Sequence, residues 1–106
     1  MQELTIIEKS VLELIPRGSE RKVKVTELSK LIDLNEREVK AVIESLRTKG
    51  IPIVSVRGAE GGLFVAITEE EREIGLRAFR NQQQSMERTI SYIEQADLAN
   101  WQKQVI

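Results

Sequence analysis

The chain has 106 residues, of which 41% are hydrophobic and 31% charged, and its 16 basic and 17 acidic side chains give a formal net charge of −1. That length suits one compact domain, and a chain without cysteine or histidine has no thiolate or imidazole catalyst, no disulfide and no zinc site built on those residues. No apolar run approaches the roughly 20 residues of a membrane span, and the acidic N-terminus is unlike a signal peptide, so we expect a soluble, cytoplasmic protein.

Apolar residues near the start of the chain recur at spacings of three and four, which predicts an amphipathic helix. Its core-facing stripe is predicted to be Leu4, Ile7, Val11, Leu14 and Ile15. The solvated side is predicted to carry Glu8, Lys9 and Glu13. Pro16 and Gly18 are expected to end the helix.

A polar, basic stretch follows and leads to a short predicted strand over residues 23–25. Thr26 is the predicted N-cap of a second helix of about two turns. The apolar positions of this helix are Leu28, Leu31 and Ile32. A helix this short is not stable alone, so we expect it to pack on its neighbours.

The third helix is predicted to follow a tight connection at residues 33–34. Asn35 and Glu38 have the spacing of a capping box, in which each side chain bonds the other residue's backbone N–H. Gly50 is expected to end the helix. Its buried side is predicted to be Val39, Val42, Ile43 and Leu46.

Two β-branched runs, residues 53–56 and 63–67, flank a glycine-rich stretch and predict a hairpin. The glycines suit a phosphate-binding loop less well, because no P-loop lysine follows them. Thr68 and Glu71 form a second predicted capping box, which opens a helix from Glu69 to about Leu98. The adjacent Glu69, Glu70 and Glu71 suit the start of a helix, whereas three successive helical positions do not converge on one metal ion.

This order of elements predicts an α+β, mostly helical fold. It is a winged helix-turn-helix of three helices and a two- or three-stranded wing sheet over residues 1–67, followed by a long C-terminal helix over 68–106. Such a fold places a helix in the DNA major groove and the hairpin against the adjacent backbone or minor groove. The chain shows no convergent catalytic pattern, so we expect no enzyme, no cofactor, no metal and no small-molecule ligand.

Three runs also resemble a known family: REVKAVIESLR at 37–47, GIPI at 50–53 and RGAEGGL at 57–63. Together with the first helix they cover about the first two-thirds of the chain. They resemble the winged helix of bacterial regulators of the DeoR and biotin-repressor type. Wings of that family often carry a basic residue near the tip, where this chain has Glu60. We expect the long helix to stand where such regulators carry a ligand-sensing or enzymatic domain.

The resemblance implies double-stranded DNA as the partner and residues 35–49 as the recognition helix. Arg37 is the best candidate for a bidentate contact to guanine, and Lys40 for a base or phosphate. An ordinary solvated face remains the alternative, since Glu36 and Lys40 form a favourable i,i+4 pair, and Arg47 suits the helix C-terminus equally well. The DNA-binding candidates are Thr26, Lys30, Asn35, Glu36, Arg37, Lys40, Ala41, Glu44 and Arg57.

The predicted long helix carries a seam with alternating spacings of three and four, close to a heptad repeat. We expect it to form a homodimer, with folding back onto the chain's own core as the alternative, especially for Leu76 and Phe79. Trp101, with Tyr92, is expected to complete the interface or cap the helix. The predicted dimer-interface residues are Phe79, Gln83, Met86, Ile90, Ile93 and Asp97.

The charge is unevenly distributed along the chain. Residues 16–57 hold ten basic and six acidic side chains, a net charge of +4, and the remainder of the chain is acidic. We therefore expect a small sequence-specific DNA-binding regulator that acts as a dimer on an operator. The alternative is a winged helix that serves as a protein-interaction module, such as a replication adaptor or an anti-repressor, with the acidic long helix as its contact surface.

Overall fold

The computed structural model describes residues 3–104, except for the side chains of Trp101 and Gln104. Its contacts divide the chain into two units, Met1–Leu76 and Arg77–Ile106. The fold is α+β, with a winged helix-turn-helix followed by a long helix, as predicted. Its elements are α1 (Ile6–Leu14), α2 (Val25–Ile32), α3 (Glu36–Thr48), β1 (Ile53–Val56), β2 (Gly62–Val65), α4 (Glu69–Gln95) and a 3-10 turn (Trp101–Gln104).

The main core of the first unit lies between the three short helices and one face of the hairpin. α1 and α2 both pack on α3, and the strands pair in antiparallel register with Ile53 opposite Val65. Because strand side chains alternate between faces, every second hairpin residue points into this core. Its buried members are Val11, Ile15, Val23, Leu28, Val39, Ile43, Leu46, Ile53, Leu63 and Val65.

The face of α1 that meets this core differs from the predicted stripe. Val11 and Ile15 are buried, but Ile7 is 53% exposed and Leu14 also lies at the surface. Glu8, predicted to be solvated, is only 4% exposed. The inward face runs through positions 8, 11 and 15, because Glu8 has partners on and just after α3 that compensate its burial.

α2 begins two residues earlier than predicted, so Thr26 lies within the helix and is not its N-cap. Lys24 occupies the cap position, and its backbone N–H donates to Glu27 Oε1 at 3.2 Å. Because Val25 is helical, the predicted strand over 23–25 is reduced to a single bridge between Val23 and Leu63. Leu31, predicted to lie on the apolar, packed face of this helix, is 65% exposed.

α3 is confirmed in its bounds, its cap and its buried side. Asn35 Oδ1 accepts from the Glu38 backbone N–H at 2.8 Å, and Glu38 Oε1 accepts from the Asn35 N–H at 3.2 Å. Gly50 follows the helix with a φ of +92°, a conformation that favours glycine. Val39, Ile43 and Leu46 are buried and Val42 is partly buried against the same core.

The other face of the hairpin forms a second small core of Val54, Phe64 and Ala66. Gly75 in α4 lies directly against it. A Cβ added at Gly75 would lie 2.4 Å from Val54 Cβ, closer than two non-bonded carbon atoms approach each other. Glycine therefore allows α4 to lie against β1 at this point.

The start of α4 is attached to the loop between α1 and α2. Thr68 Oγ1 accepts from the Glu71 backbone N–H at 3.1 Å, as its predicted capping role requires. The Glu71 carboxylate accepts from the backbone N–H groups of Ile67 at 2.8 Å and Ser19 at 2.7 Å. The Ile67 bond, with those from Ser19, lowers the pKa of Glu71.

The far end of α4 comes three residues earlier than predicted, at Gln95. Asp97 Oδ1 accepts from the backbone N–H groups of Ala99 at 3.0 Å and Asn100 at 3.1 Å. An aspartate that binds nearby backbone groups in this way favours a turn over further helix. Asp97 therefore lies beyond the helix on which the predicted seam depends.

Candidate nucleic-acid interface

The outward face of α3 presents five of the predicted DNA-binding residues together. They occupy helical positions on one side of α3, while Val39, Ile43 and Leu46 on the opposite side are fully packed. Both ends of the helix are held, by the Asn35 capping box and by the turn at Gly50. This solvent-accessible face is composed of Glu36, Arg37, Lys40, Ala41 and Glu44, all exposed.

Two of the predicted residues on this side have partners within the fold. Asn35 is exposed, but its side-chain oxygen accepts the cap hydrogen bond described above. Glu44 lies 3.4 Å from the Arg47 guanidinium. Arg47 also donates from Nε to the Ile53 carbonyl oxygen at 2.9 Å, so it joins α3 to β1. Arg47 therefore has a structural role between α3 and β1.

Thr26 and Lys30 are exposed on α2, one helical turn apart. The tight turn after α2 has Asp33 in the left-handed conformation, with a φ of 52°. There the Leu34 backbone N–H donates to the Ser29 carbonyl at 3.3 Å, and the Ser29 hydroxyl donates to the Leu34 carbonyl. These bonds define the short connection by which α2 packs on α3.

The hairpin ends in a compact turn with Arg57 at its base and Glu60 at its tip, both exposed. The Gly61 backbone N–H donates to the Gly58 carbonyl at 3.0 Å, and Gly58 has a φ of +114°. A Cβ at Gly61 would lie 2.1 Å from the Val56 carbonyl oxygen. The glycines therefore shape a tight turn, as predicted, that presents one charge of each sign.

A basic segment, residues 17–24, lies beside the hairpin and is absent from the predicted DNA-binding residues. Val23 pairs with Leu63 through hydrogen bonds of 3.0 and 2.7 Å, which places residues 22–24 along β2. Lys22 donates from Nζ to the Ser19 carbonyl at 2.9 Å, and its Nζ lies 5.8 Å from the centre of the Phe64 ring. The exposed members of the segment are Arg17, Arg21 and Lys24. The sequence signal for this segment is its charge, since four of its eight residues are basic.

The second unit presents most of the predicted dimer-interface residues to solvent. Met86, Ile90 and Ile93 are each more than half exposed and Phe79 is 44% exposed, while Gln83 is also exposed. Asp97 lies outside α4, in the turn that it caps. The side chain of Trp101 lies outside what the structure describes.

No group of three or more aspartate or glutamate side chains among residues 3–104 could hold a metal ion. No helix in that part of the chain is both long and apolar enough to cross a membrane.

Comparisons with known proteins give one structural likeness. No protein-family model and no curated protein matches the chain. The fold is similar to the solved structure of CymR (YrzC), the global cysteine regulator of B. subtilis, with a TM-score of 0.44 and 22% sequence identity. The matched region covers 61% of this chain and 53% of that one, so it spans about half the length of CymR.

Proposed function

We propose that this chain is a sequence-specific double-stranded DNA-binding protein, a small transcriptional regulator that acts as a dimer on an operator. The observation that carries the proposal is the outward face of α3. This face is exposed along its whole length on a helix whose other side is packed and whose N-terminus is capped. An α-helix of this kind fits the DNA major groove, with its first residues at the base edges.

Arg37 and Lys40 are the basic residues on this face, and they have different roles in the proposal. Arg37 lies in the first turn of α3, where a guanidinium can make a bidentate contact with guanine. Lys40 lies one turn further along the helix and binds a base or a phosphate. Glu36 and Glu44 favour contact with cytosine, whose amino group donates to a carboxylate. Neither side chain is expected to lie next to a phosphate, because both groups are negatively charged.

Phosphate contacts then come from the elements on either side of α3. Thr26 and Lys30 supply them from α2, and Arg57 supplies them from the base of the wing. Arg21 and Lys24 extend this basic surface along β2, where the bridge between Val23 and Leu63 holds their segment. The net charge of +4 over residues 16–57 is modest, so non-specific binding is expected to be weak.

The test is selection of binding sequences from a pool of random double-stranded DNA, with purified protein at low salt. The proposal predicts an enriched motif whose affinity falls at least about a hundredfold between about 50 and about 200 mM salt, because several phosphate contacts are involved. Enrichment of no motif would overturn it. A protein that selects no DNA but binds a protein partner would instead be the interaction module considered above.

The resemblance to DeoR and biotin-repressor-type regulators forms part of the same proposal. It rests on the runs at 37–47, 50–53 and 57–63, which cover α3, the start of β1 and the wing. Dimerisation through α4 completes it, because two recognition helices can read the two halves of a palindrome.

A further inference from the structure

The second unit of the chain exposes an apolar stripe along α4. Phe79, Met86, Ile90 and Ile93 recur at heptad spacing, with the polar Gln83 at the position between Phe79 and Met86. Met86, Ile90 and Ile93 each keep more than half of their surface exposed. A stripe of this spacing matches the contact surface of a second helix with the same repeat.

The charges flanking the stripe are unequal on its two sides. The residues that follow Phe79, Met86 and Ile93 are Arg80, Glu87 and Glu94, all charged. The residues that precede Gln83 and Ile90 are Gln82 and Thr89, both neutral. In paired helices these flanking positions select the orientation of the partner.

A parallel pair brings the two different flanks together. It would place Gln82 beside Glu87 of the second copy and Thr89 beside its Glu94, which forms no pair of opposite charges. An antiparallel pair instead brings like flanks together. With Phe79 opposite Ile90 of the second copy, and Gln83 opposite its Met86, Arg80 lies beside Glu87 of the second copy. By symmetry Glu87 lies beside the second copy's Arg80, on the same side of the pair.

We propose that α4 pairs with α4 of a second copy of this chain in antiparallel orientation, in the register that places Phe79 opposite Ile90. The two-fold axis then passes between residues 84 and 85, and the contact is isologous. The two Arg80–Glu87 pairs at its edge select the orientation and register, and the apolar stripe supplies the burial.

This inference rests on the dimer in the proposed function and specifies its geometry. The paired segment from Phe79 to Ile90 covers only about three helical turns. We therefore expect a reversible dimer whose population rises with protein concentration. The two-fold symmetry that it generates matches that of a palindromic DNA site.

The experiment uses cysteines, of which the chain has none. Two full-length variants, Phe79→Cys and Ile90→Cys, are prepared with a tag on one of them and oxidised alone and as a mixture. In the proposed register the two positions face one another across the pair. Two copies of Ile90 are about 16 Å apart along the axis, too far for a disulfide. Arg88→Cys, on the side of α4 away from the stripe, is the matched control.

We expect the mixture to give the heterodisulfide in large excess over the disulfide that Ile90→Cys forms alone, and Arg88→Cys to form no disulfide under oxidation. A disulfide formed efficiently by Ile90→Cys alone would show parallel pairing and overturn the inference. So would sedimentation of the unmodified protein as a monomer at every concentration tested. A DNA motif selected in spite of either result would leave the proposed DNA binding intact.

Discussion

Glu8 on α1 and Lys49, the residue that follows α3, form an ion pair with 2.5 Å between Oε1 and Nζ. Ser45 Oγ donates to the other oxygen of Glu8 at 2.7 Å, and the Thr5 backbone N–H donates to Oε1 at 2.7 Å. The carboxylate is 4% exposed, so these bonds replace the water that it loses. They join the first helix to the end of the proposed recognition helix.

The first prediction concerns acid stability. The hydrogen bond from Lys49, followed by those from Ser45 and Thr5, lowers the pKa of Glu8 from 4.5 to about 2. Because the folded-state pKa is lowered, the stabilisation is complete above pH 4.5 and is lost as the pH falls towards 2. We expect Glu8→Gln to lower the free energy of unfolding at pH 7, with a difference from wild type that shrinks through that pH range.

Denaturant unfolding at a series of pH values measures this effect. Glu13→Gln is the control, since Glu13 is exposed on the same helix, and its stability should follow that of wild type at each pH. A Glu8→Gln deficit that stayed constant from pH 7 to pH 2 would contradict the role of the ionised carboxylate.

The second prediction concerns Gly75. Alanine raises helix propensity, but its Cβ would lie 2.4 Å from both Val54 Cβ and Val54 Cγ1. We expect Gly75→Ala to destabilise the protein by about 1–3 kcal/mol, the usual cost of overpacking. Thermal or denaturant unfolding provides the measurement.

A double variant distinguishes this clash from a general effect on α4. Val54→Gly removes the Cβ and both methyl groups that the new Cβ meets, so the Gly75→Ala change should cost less in that background. Equal costs in both backgrounds would show that the contact with Val54 is not the cause.

The third prediction tests the proposed base contact. Arg37→Ala is expected to weaken binding to the selected DNA site by about 1–3 kcal/mol and to relax the preference at one base pair. Arg88→Ala removes the same charge from α4 and serves as the control. Binding of both variants to the selected site and to single-base variants is measured at one salt concentration. A uniform loss on all sites for Arg37→Ala would assign that residue to a phosphate.

The fourth prediction tests the dimer. Ile90→Asp places a charge in the proposed seam, where burial penalises it. We expect monomers in sedimentation and weaker binding to a two-half-site DNA, with binding to a single half-site unchanged. Asn81→Asp introduces the same charge on the other side of α4 and should leave the mass unchanged. An unchanged mass for Ile90→Asp would remove Ile90 from the interface.

Much of the first unit could be predicted from the sequence because its signals are local. The Asn35 and Glu38 capping box, the periodicity of α3 and the turn at Gly50 all depend on residues within a few positions of each other. The hairpin was predicted for the same reason, since glycines with special backbone angles lie between two β-branched runs. The periodicity of α3 predicted which of its residues are buried, and the remaining residues form its exposed side.

The sequence predictions were wrong where a residue's environment is set by distant parts of the chain. Leu31 and Ile7 have the spacing of core residues, but the neighbouring elements leave them exposed. The N-cap of α2 is Lys24 and not Thr26, because Val25 belongs to the helix. For the same reason the predicted strand is reduced to one bridge. The predicted end of α4 was wrong because Asp97 binds the turn that follows it.

The sequence by itself determined the element order, the third helix with its caps, and a basic region within a nearly neutral chain. These follow from propensity, from periodicity and from a count of charges. Only the tertiary structure decided that Glu8 is buried and that Gly75 is needed for close packing. The partner of Glu8 is 41 residues away, and the neighbour of Gly75 belongs to a different element. Contacts of that kind leave no local pattern, because they exist only once the helices and the hairpin have packed.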